Sequence, residues 1–361
     1  MKKYIIVLCL LLWPFGLLLG FNSVFLSSPL YLLDILVGIN FLVFYIKNPK
    51  KIVPTPHSSI YQPLILFLVI LALSLAINTG RLTSSQTIMS LLYFLRACFY
   101  PHLLFGADKF DKKDFSGLLS FIFKLFVLFG FIQYLFYPDM RIMKNLGFDD
   151  HYYRLVGTLL DPNFTGAALS LISFYFLFQK DYLTFLISLG ALVLTFSRAS
   201  YLSFLAPLIF LIIKNKNYKL ITIFGLIALG VYFVPKPFGE GVNLLRTFSI
   251  FSRLDSWKTG VELFLQKPIL GWGYNTLRNL NGIKVSIDNS FIFVLATSGM
   301  LGLISFVYFL YSIYKNSTLF GKTILLSVLT HSMFNNTYFF PWVSVLLFAM
   351  LSFSFKENKR P

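Results

Sequence analysis

Charged residues are scarce in this sequence of 361 amino acids: they make up 12% of it, against about 25% in a typical soluble domain. Hydrophobic residues make up 57%. A soluble fold cannot bury that much apolar surface, so we exclude a soluble protein and predict a membrane protein. Only two cysteines are present, Cys9 and Cys98, and both lie in apolar runs, which excludes a disulfide framework.

The sequence also lacks the usual signatures of cofactor and metal enzymes. It has four histidines, and no spacing of His, Cys and acidic residues is typical of a zinc site. No glycine-rich phosphate loop and no nucleophile elbow occurs. We therefore predict no cofactor and no metal site.

Acidic residues are fewer than basic ones. The sequence has 31 Lys and Arg and 14 Asp and Glu, which gives a formal charge of +17. These basic residues are scattered between apolar segments instead of forming one patch, so we predict no nucleic-acid partner. Loop topology and attraction to anionic lipid account for most of the excess.

Apolar runs of the length that spans a bilayer as a helix recur along the whole chain. We predict an all-α fold, a single polytopic membrane domain over residues 1–361 with about 12 transmembrane helices. The predicted spans are 4–21, 28–46, 61–78, 84–105, 115–137, 162–179, 181–197, 199–213, 219–235, 289–313, 322–337 and 339–355. The first run resembles a signal peptide, but no small-x-small cleavage site follows it, so we predict an uncleaved helix.

The type of basic residue differs between the two faces of the predicted bundle. With the N-terminus inside, lysine clusters fall on the cytoplasmic side, and both termini are cytoplasmic. Arginine predominates on the other side, which also holds the two longest loops, 138–161 and 236–288. Loops of this length tend to be functional. Within the second loop, residues 253–266 have the periodicity of an amphipathic helix lying on the surface, whose apolar side carries Leu254, Trp257, Val261, Phe264 and Leu265.

Arginines outside the cytoplasm suit a phosphate-bearing substrate, because the guanidinium fork binds phosphate in bidentate fashion and keeps its charge. The alternative for each of them is a partner acid or a lipid headgroup. Arg198 stands out because it lies at a break between two predicted helices, near the membrane core. Asp161 followed by Pro162 predicts a helix cap, which leaves Arg154 and Asn163 of the same segment for other roles.

Asp288 and Asn289 stand where the large loop meets the tenth predicted span. Either side chain could cap that helix, and Asp288 could instead act as a general base at the mouth of a cavity. Spacing leaves these alternatives open.

His331, a lone histidine in a predicted span, is interpreted as hydrogen-bonded packing in preference to catalysis. Asp149 and the adjacent Asp150 are a weak signal for a divalent cation.

Taken in order, four sequence blocks resemble the O-antigen ligase and polymerase superfamily of bacterial envelope enzymes, over residues 150–310. The blocks are Arg154 to Gly166 with its Gly-x-x-x-Asp-Pro-Asn core; Ser197-Arg198-Ala199; Arg253-x-x-x-Trp257 leading to Lys267–Gly273; and Asp288-Asn289 followed by Gly299 and Gly302. The resemblance implies a glycosyltransferase of the bacterial inner membrane that uses undecaprenyl-pyrophosphate-linked glycans outside the cytoplasm.

The resemblance also implies roles for individual residues. By their position in the motifs, Arg198 and Arg253 would bind the pyrophosphate of the substrate. In ligases of the superfamily the fourth block begins with a histidine thought to activate the acceptor hydroxyl. Asp288 occupies that position here, and an acid there is commoner among repeat-unit polymerases, so we predict a polymerase with Asp288 as the catalytic base. Residues with a predicted role in substrate positioning are Arg154, Asn163, Arg246 and Asn289.

Two other functions are kept as alternatives. One is a ligase that passes finished glycan from undecaprenyl pyrophosphate to a lipid or protein acceptor. The other is a transporter of lipid-linked sugars, although we find no clear internal repeat of the kind that transporters often have. The expected partners are undecaprenyl-pyrophosphate-linked oligosaccharides, membrane lipids, and a flippase and a chain-length regulator of the same pathway.

Overall fold

The computed structural model describes residues 2–21, 30–47, 58–105, 110–234, 240–277 and 285–355. Within these ranges the chain is mostly helical, which confirms the predicted all-α membrane class. The helices are α1 (Lys2–Leu12), α2 (Leu32–Lys47), α3 (Ser58–Asn78), α4 (Ser84–Phe99), α5 (Lys112–Phe136), α6 (Pro162–Gln179), α7 (Tyr182–Leu194), α8 (Arg198–Asn215), α9 (Thr222–Phe233), α10 (Phe248–Gln266), α11 (Ser290–Asn316), α12 (Leu319–Ser332) and α13 (Pro341–Ser352). A two-residue antiparallel pair joins β1 (Gly20–Phe21) to β2 (Leu30–Tyr31).

Each segment predicted to span the membrane contains a helix, but the helices differ in length. In the described part of the chain, four apolar helical stretches are long enough to cross a membrane by themselves: Ser59–Arg81, Ser84–Phe105, Lys112–Phe136 and Ser290–Asn316. Others are shorter, such as α7 with 13 residues and α13 with 12. At about 1.5 Å per residue these extend roughly 20 Å, less than the hydrocarbon core of about 30 Å. The predicted number of twelve crossings is therefore not confirmed.

An ion pair that the sequence analysis missed joins α2 to α4 inside two predicted spans. The Arg96 Nε group donates to the Asp34 carboxylate over 2.9 Å, and the Tyr100 hydroxyl donates to the same carboxylate. The Arg96 and Asp34 side chains are only 12% and 11% exposed. The opposite charges of Arg96 and Asp34 compensate each other, which allows both side chains to lie among apolar ones.

Helix α10 confirms the predicted surface helix, although it begins at Phe248, before the predicted start at residue 253. The predicted apolar side is not the side that the packing buries. Helix α10 buries Gly260 and Leu263, neither of which was placed on that side, whereas Leu254 and Leu265 remain 49% and 67% exposed. This exposed apolar surface is suited to contact with lipid.

Helix α11 is interrupted at Gly299, and the segment that follows α10 packs into the interruption. Gly299 has a φ of +66°, and a Cβ atom there would lie 2.1 Å from the Ile269 carbonyl oxygen. The Met300 amide donates to the Pro268 carbonyl over 2.8 Å. A side chain at Gly299 is thus excluded by both the backbone conformation and the close approach. These contacts fix the end of α10 against α11.

Replacing Gly299 with alanine should lower the stability of the protein by roughly 3 kcal/mol, because the new Cβ atom would meet backbone atoms and the φ value would be strained. Gly190→Ala in α7 is the matched control, since nothing lies within 4 Å of a Cβ atom built there. Thermal unfolding in detergent would measure both effects. A Gly299→Ala variant with the Tm of the Gly190→Ala variant would contradict this description of the packing.

Candidate functional site

Arg198 is the first residue of α8, at the break that separates α8 from α7. Ser197 caps α8, since its side chain accepts a hydrogen bond from the Ser200 amide. The Arg198 guanidinium donates to the Leu244 carbonyl over 3.1 Å and to the Ser249 hydroxyl over 2.8 Å. The two-helix prediction at this point is confirmed, and the break directs Arg198 towards the loop 236–288.

The backbone of the break is held by two other arginines. Phe196 is fully buried and has a φ of +48°, which is unusual for a bulky residue. Its carbonyl accepts from Arg154 over 3.4 Å and from Arg246 over 3.2 Å. Arg154 also donates to the Thr195 carbonyl over 2.9 Å. Arg154 and Arg246 therefore satisfy carbonyl groups that follow the C-terminal end of α7 and have no helical partner.

Asn163, near the start of α6, belongs to a hydrogen-bond network between helix ends. Its side chain accepts from the Ser197 hydroxyl over 2.8 Å, and its carbonyl accepts from the Ser200 hydroxyl over 3.1 Å. Ser200 in turn lies 3.2 Å from Nε2 of His331, whose Nδ1 lies 2.6 Å from the Thr337 hydroxyl. His331 is fully buried, which confirms the interpretation of this histidine as hydrogen-bonded packing.

The choice between Asp288 and Asn289 as the cap of α11 is resolved in favour of asparagine. Asn289 accepts from the Phe291 and Ile292 amides over 2.9 and 3.0 Å. It also donates to the Met333 carbonyl over 2.9 Å. The Asp288 side chain is thereby left free for another role.

Asp288 is held in place by hydrogen bonds of its backbone and not by hydrogen bonds of its carboxylate. Its amide donates to the Ser256 hydroxyl over 2.8 Å, and its carbonyl accepts from the Trp257 indole over 3.1 Å. Both partners are on α10. Among the described residues its carboxylate has no hydrogen-bond donor, although the side chain is partly buried.

Arg253 is the basic residue whose charge acts most directly on Asp288. Burial raises the pKa of Asp288, and the positive charge of Arg253 opposes that rise. Burial lowers the pKa of Arg253, Asp288 raises it, and the nearby charge of Arg198 lowers it. In the described part of the chain, the Arg253 guanidinium makes no hydrogen bond. Arg198, Arg253 and Asp288 therefore form a single electrostatic cluster.

Helix N-termini stand beside this cluster: those of α6 and α8 are joined through Asn163 and Ser197, and Asp288 directly precedes the cap of α11. Asp161 caps α6, as predicted, by accepting from the Asn163 and Phe164 amides over 2.6 and 3.1 Å. Burial raises the pKa of Asp161, and the capping bonds and Arg154 oppose the rise. The amides and dipole at each helix N-terminus favour negative charge, so the cluster as a whole suits an anionic ligand.

A divalent cation could be held by three side chains of the first loop and its end. Asp149, His151 and Asp161 each offer a ligand atom, and these atoms lie within 4.8 Å of one another. The Nε2 atom of His151 is buried and has no hydrogen-bond partner. Burial, then Arg154, lowers the pKa of His151 to about 4, so the ring is neutral at pH 7, as a metal ligand must be. Asp150, which together with Asp149 was only a weak signal for a divalent cation in the sequence, lies 3.9 Å from Lys144.

The predicted site residues thus divide into two groups. Arg198, Arg253 and Asp288 come together with charged groups available to a ligand. The side chains that instead hold the surrounding backbone or helix ends are those of Arg154, Asn163, Arg246 and Asn289. Ser249, Ser256 and Trp257, which position the cluster, were not predicted to do so; of these, only Trp257 belonged to a sequence motif.

Comparison with known families supports a function for this region. A family model described as O-antigen ligase matches residues 183–307, which include Arg198, Arg253 and Asp288. The match confirms the resemblance to the O-antigen ligase and polymerase superfamily. No curated protein matches the sequence.

Substituting the two kinds of arginine should affect stability differently. Arg154→Gln should destabilise the protein by roughly 2–4 kcal/mol, because the buried Thr195 carbonyl would lose its donor and the Phe196 carbonyl would keep only Arg246. Arg253→Gln should change stability by less than about 1 kcal/mol, because it removes a partly buried charge that makes no hydrogen bond. Differential scanning fluorimetry in detergent would measure both. A larger loss in Arg253→Gln than in Arg154→Gln would show that the two roles are assigned the wrong way round.

Proposed function

We propose that this protein of the O-antigen ligase and polymerase superfamily joins undecaprenyl-pyrophosphate-linked oligosaccharide repeat units into a surface polysaccharide. The product would be an O-antigen, a capsule or an exopolysaccharide. The observation that carries the proposal is the arrangement of Asp288: a carboxylate without a hydrogen-bond donor among the described residues, held by its backbone beside Arg253. Its chemistry fits a general base next to a binding site for an anion.

In the proposed reaction, a hydroxyl group of one lipid-linked repeat unit attacks the anomeric carbon of a second one. The new glycosidic bond forms as the bond between that carbon and the pyrophosphate oxygen breaks. The electron pair of the broken bond leaves with undecaprenyl pyrophosphate, and Asp288 takes the proton of the attacking hydroxyl. Arg198 and Arg253 stabilise the charge that develops on the pyrophosphate. The activated donor supplies the driving force, so the reaction needs no nucleotide.

Four of the predicted residues would act as positioning residues. Arg154 and Arg246 fix the carbonyl groups of the break from which Arg198 emerges. Asn163 ties the start of α6 to the start of α8. Asn289 caps α11, so that Asp288 keeps its carboxylate for chemistry.

The reaction would take place on the extracytoplasmic face of the bacterial inner membrane, with both termini in the cytoplasm. The lysine clusters of the sequence and the arginines of the loops 138–161 and 236–288 support this orientation. A flippase would supply the lipid-linked units from the cytoplasm, and a chain-length regulator would act on the same product.

The main alternative is a ligase that transfers the finished glycan from undecaprenyl pyrophosphate to a lipid or protein acceptor. Ligases of the superfamily carry histidine where this chain has Asp288, which favours the polymerase. A transporter of lipid-linked sugar would not require a free carboxylate beside two arginines.

The activity assay is the conversion of labelled undecaprenyl-pyrophosphate-linked repeat units into longer chains by the protein in proteoliposomes. Arg198→Ala should lower the rate by about 10²–10³, because it removes one donor to the charge of the leaving group. Asp288→Asn should lower it by about 10²–10⁴, because it removes the base. Arg141→Ala is the control, since Arg141 is exposed and paired with Asp139.

The products of the same assay separate the two candidate enzymes. A polymerase leaves the lengthened chains on undecaprenyl pyrophosphate, whereas a ligase transfers them to another acceptor. Wild-type rates in both Arg198→Ala and Asp288→Asn, with normal membrane insertion, would rule out the proposed mechanism.

The pH dependence of the rate should report the ionisation of Asp288. The base is active when deprotonated, so kcat/KM should fall as the pH is lowered through the pKa of Asp288. Because burial raises that pKa, the fall should occur above pH 4, the usual region for aspartate being about 3.9. In Asp288→Glu, kcat/KM should still fall at acid pH. In Asp288→Asn, the residual kcat/KM should not show this fall. An unchanged profile in Asp288→Asn would assign the proton transfer to another group.

A further inference from the structure

Two basic side chains outside the Arg198 cluster lie over the same aromatic ring. The guanidinium carbon of Arg81 is 5.4 Å from the centre of the Trp272 ring, and the Lys267 ammonium is 4.4 Å from it. The ring is held in place, because its indole N–H donates to the Leu263 carbonyl over 2.8 Å. The Trp272 backbone amide also donates to the Ala296 carbonyl of α11 over 3.1 Å.

The position of Lys267 is set by a buried side chain. The Lys267 ammonium donates to the Asn78 side-chain oxygen over 2.7 Å, and Asn78 is only 3% exposed. The Asn78 side-chain nitrogen donates to the Ser74 and Gly271 carbonyls over 2.8 and 3.3 Å. With both amide hydrogens used, the oxygen of Asn78 can only face Lys267.

The two positive charges lack a negative partner in the described part of the chain. Neither Arg81 nor Lys267 forms an ion pair there. Burial lowers the pKa of Lys267, and the charge of Arg81 lowers it further. The fold thus holds two like charges together against their repulsion, which an anionic ligand bound between them would relieve.

The ligand at this site would arrive from the lipid. Arg81 is the last residue of the apolar stretch Ser59–Arg81, one of those long enough to cross a membrane. Below it, Leu73 and Ile77 of α3 are 49% and 65% exposed. An acyl or polyprenyl chain lying along this surface would bring its phosphate to Arg81 and Lys267.

The distance from the Arg198 cluster indicates which phosphate this is. Arg253 lies in the second turn of α10 and Lys267 directly follows the helix, and at 1.5 Å per residue the positions are about 20 Å apart. A short oligosaccharide spans a distance of this order. In a polymerase the acceptor is itself lipid-linked, and its attacking hydroxyl lies one repeat unit away from its own pyrophosphate.

We propose that Arg81, Lys267 and Trp272 bind the pyrophosphate of the acceptor, while Arg198 and Arg253 bind that of the donor. The proposal rests on the proposed polymerase function. With the two pyrophosphates held at the two ends of α10, the repeat unit of the acceptor extends along the helix and delivers its terminal hydroxyl to Asp288. A ligase acceptor would not need this second site.

Binding of undecaprenyl pyrophosphate, without sugar, to the purified protein tests the site independently of catalysis. Native mass spectrometry should detect two bound molecules per wild-type chain. Arg81→Gln with Lys267→Gln should weaken one of the two binding events by roughly tenfold or more, and Arg198→Gln with Arg253→Gln should weaken the other. Arg141→Gln, an exposed arginine outside both sites, should retain two.

A second arm identifies the source of the phosphate. Phosphatidylglycerol added in excess should not displace undecaprenyl pyrophosphate from the Arg81–Lys267 site; equal competition would make the site a phospholipid site and overturn the acceptor assignment. Arg81→Gln alone covers the case in which the double variant is unstable, because Arg81 is exposed and makes no hydrogen bond among the described residues. Two undiminished binding events in Arg81→Gln and in the double variant would overturn the site.

The outcomes also separate this proposal from the proposed function. Two binding events in the wild type, without chain lengthening in proteoliposomes, would reject the polymerase, and with it the acceptor role, but leave the lipid-phosphate site in place. If the Arg81 and Lys267 variants still lengthen chains and still bind two molecules of undecaprenyl pyrophosphate, the second site is rejected and the polymerase function is not.

Discussion

The rest of the candidate site depends on the hydrogen bonding of one carbonyl group, that of Phe196. The chain must reverse between α7 and α8 inside an apolar bundle, where an unpaired backbone group costs several kcal/mol. Arg154 and Arg246 both donate to this carbonyl, and Phe196 takes a left-handed conformation that places it within their reach. The reversal puts Arg198 at the first position of α8, facing the large loop. Arg154 and Arg246 thus hold the backbone in the position from which Arg198 can contact a ligand.

This arrangement has an electrostatic consequence for the candidate site. Four arginines and the carboxylates of Asp161 and Asp288 act on one another through space, and no direct ion pair links an arginine to either acid among the described residues. Hydrogen bonds to carbonyls fix Arg154, Arg198 and Arg246 without neutralising them. The positive charge therefore remains available to an anionic ligand, and binding of such a ligand would stabilise the protein. The backbone attachment of Asp288 also suits its proposed role, because a carboxylate paired closely with Arg253 would be a weaker base.

The sequence allowed the helices and the break at residue 198 to be predicted, because hydropathy and charge type are local properties. Arg198, Arg253 and Asp288 were instead named by their position in the motifs of the family that the chain resembles. Residue type alone did not separate Arg154 from Arg253. They are arginines of the loops 138–161 and 236–288, and only the folded chain determines which of them meets a buried carbonyl. Asp288 and Asn289 were ambiguous for a related reason, since either could accept the first amides of α11 and spacing does not rank them. The number of membrane crossings was not confirmed, because apolar composition does not fix the length of a helix such as α7.

The difference between a polymerase and a ligase can be stated as a difference in the number of anion sites on one face. A ligase releases one pyrophosphate and accepts a hydroxyl from a molecule of another kind. A polymerase must hold two identical lipid-linked anions, and at any moment only one of them may lose its sugar. Two separate sites meet that demand if one has a base beside the cations and the other has none. Under the proposed function, Asp288 would supply such a base beside Arg253, whereas Arg81 and Lys267 have a neutral amide and an indole ring beside them. The proposed second site would then bind a pyrophosphate without activating a nucleophile against it.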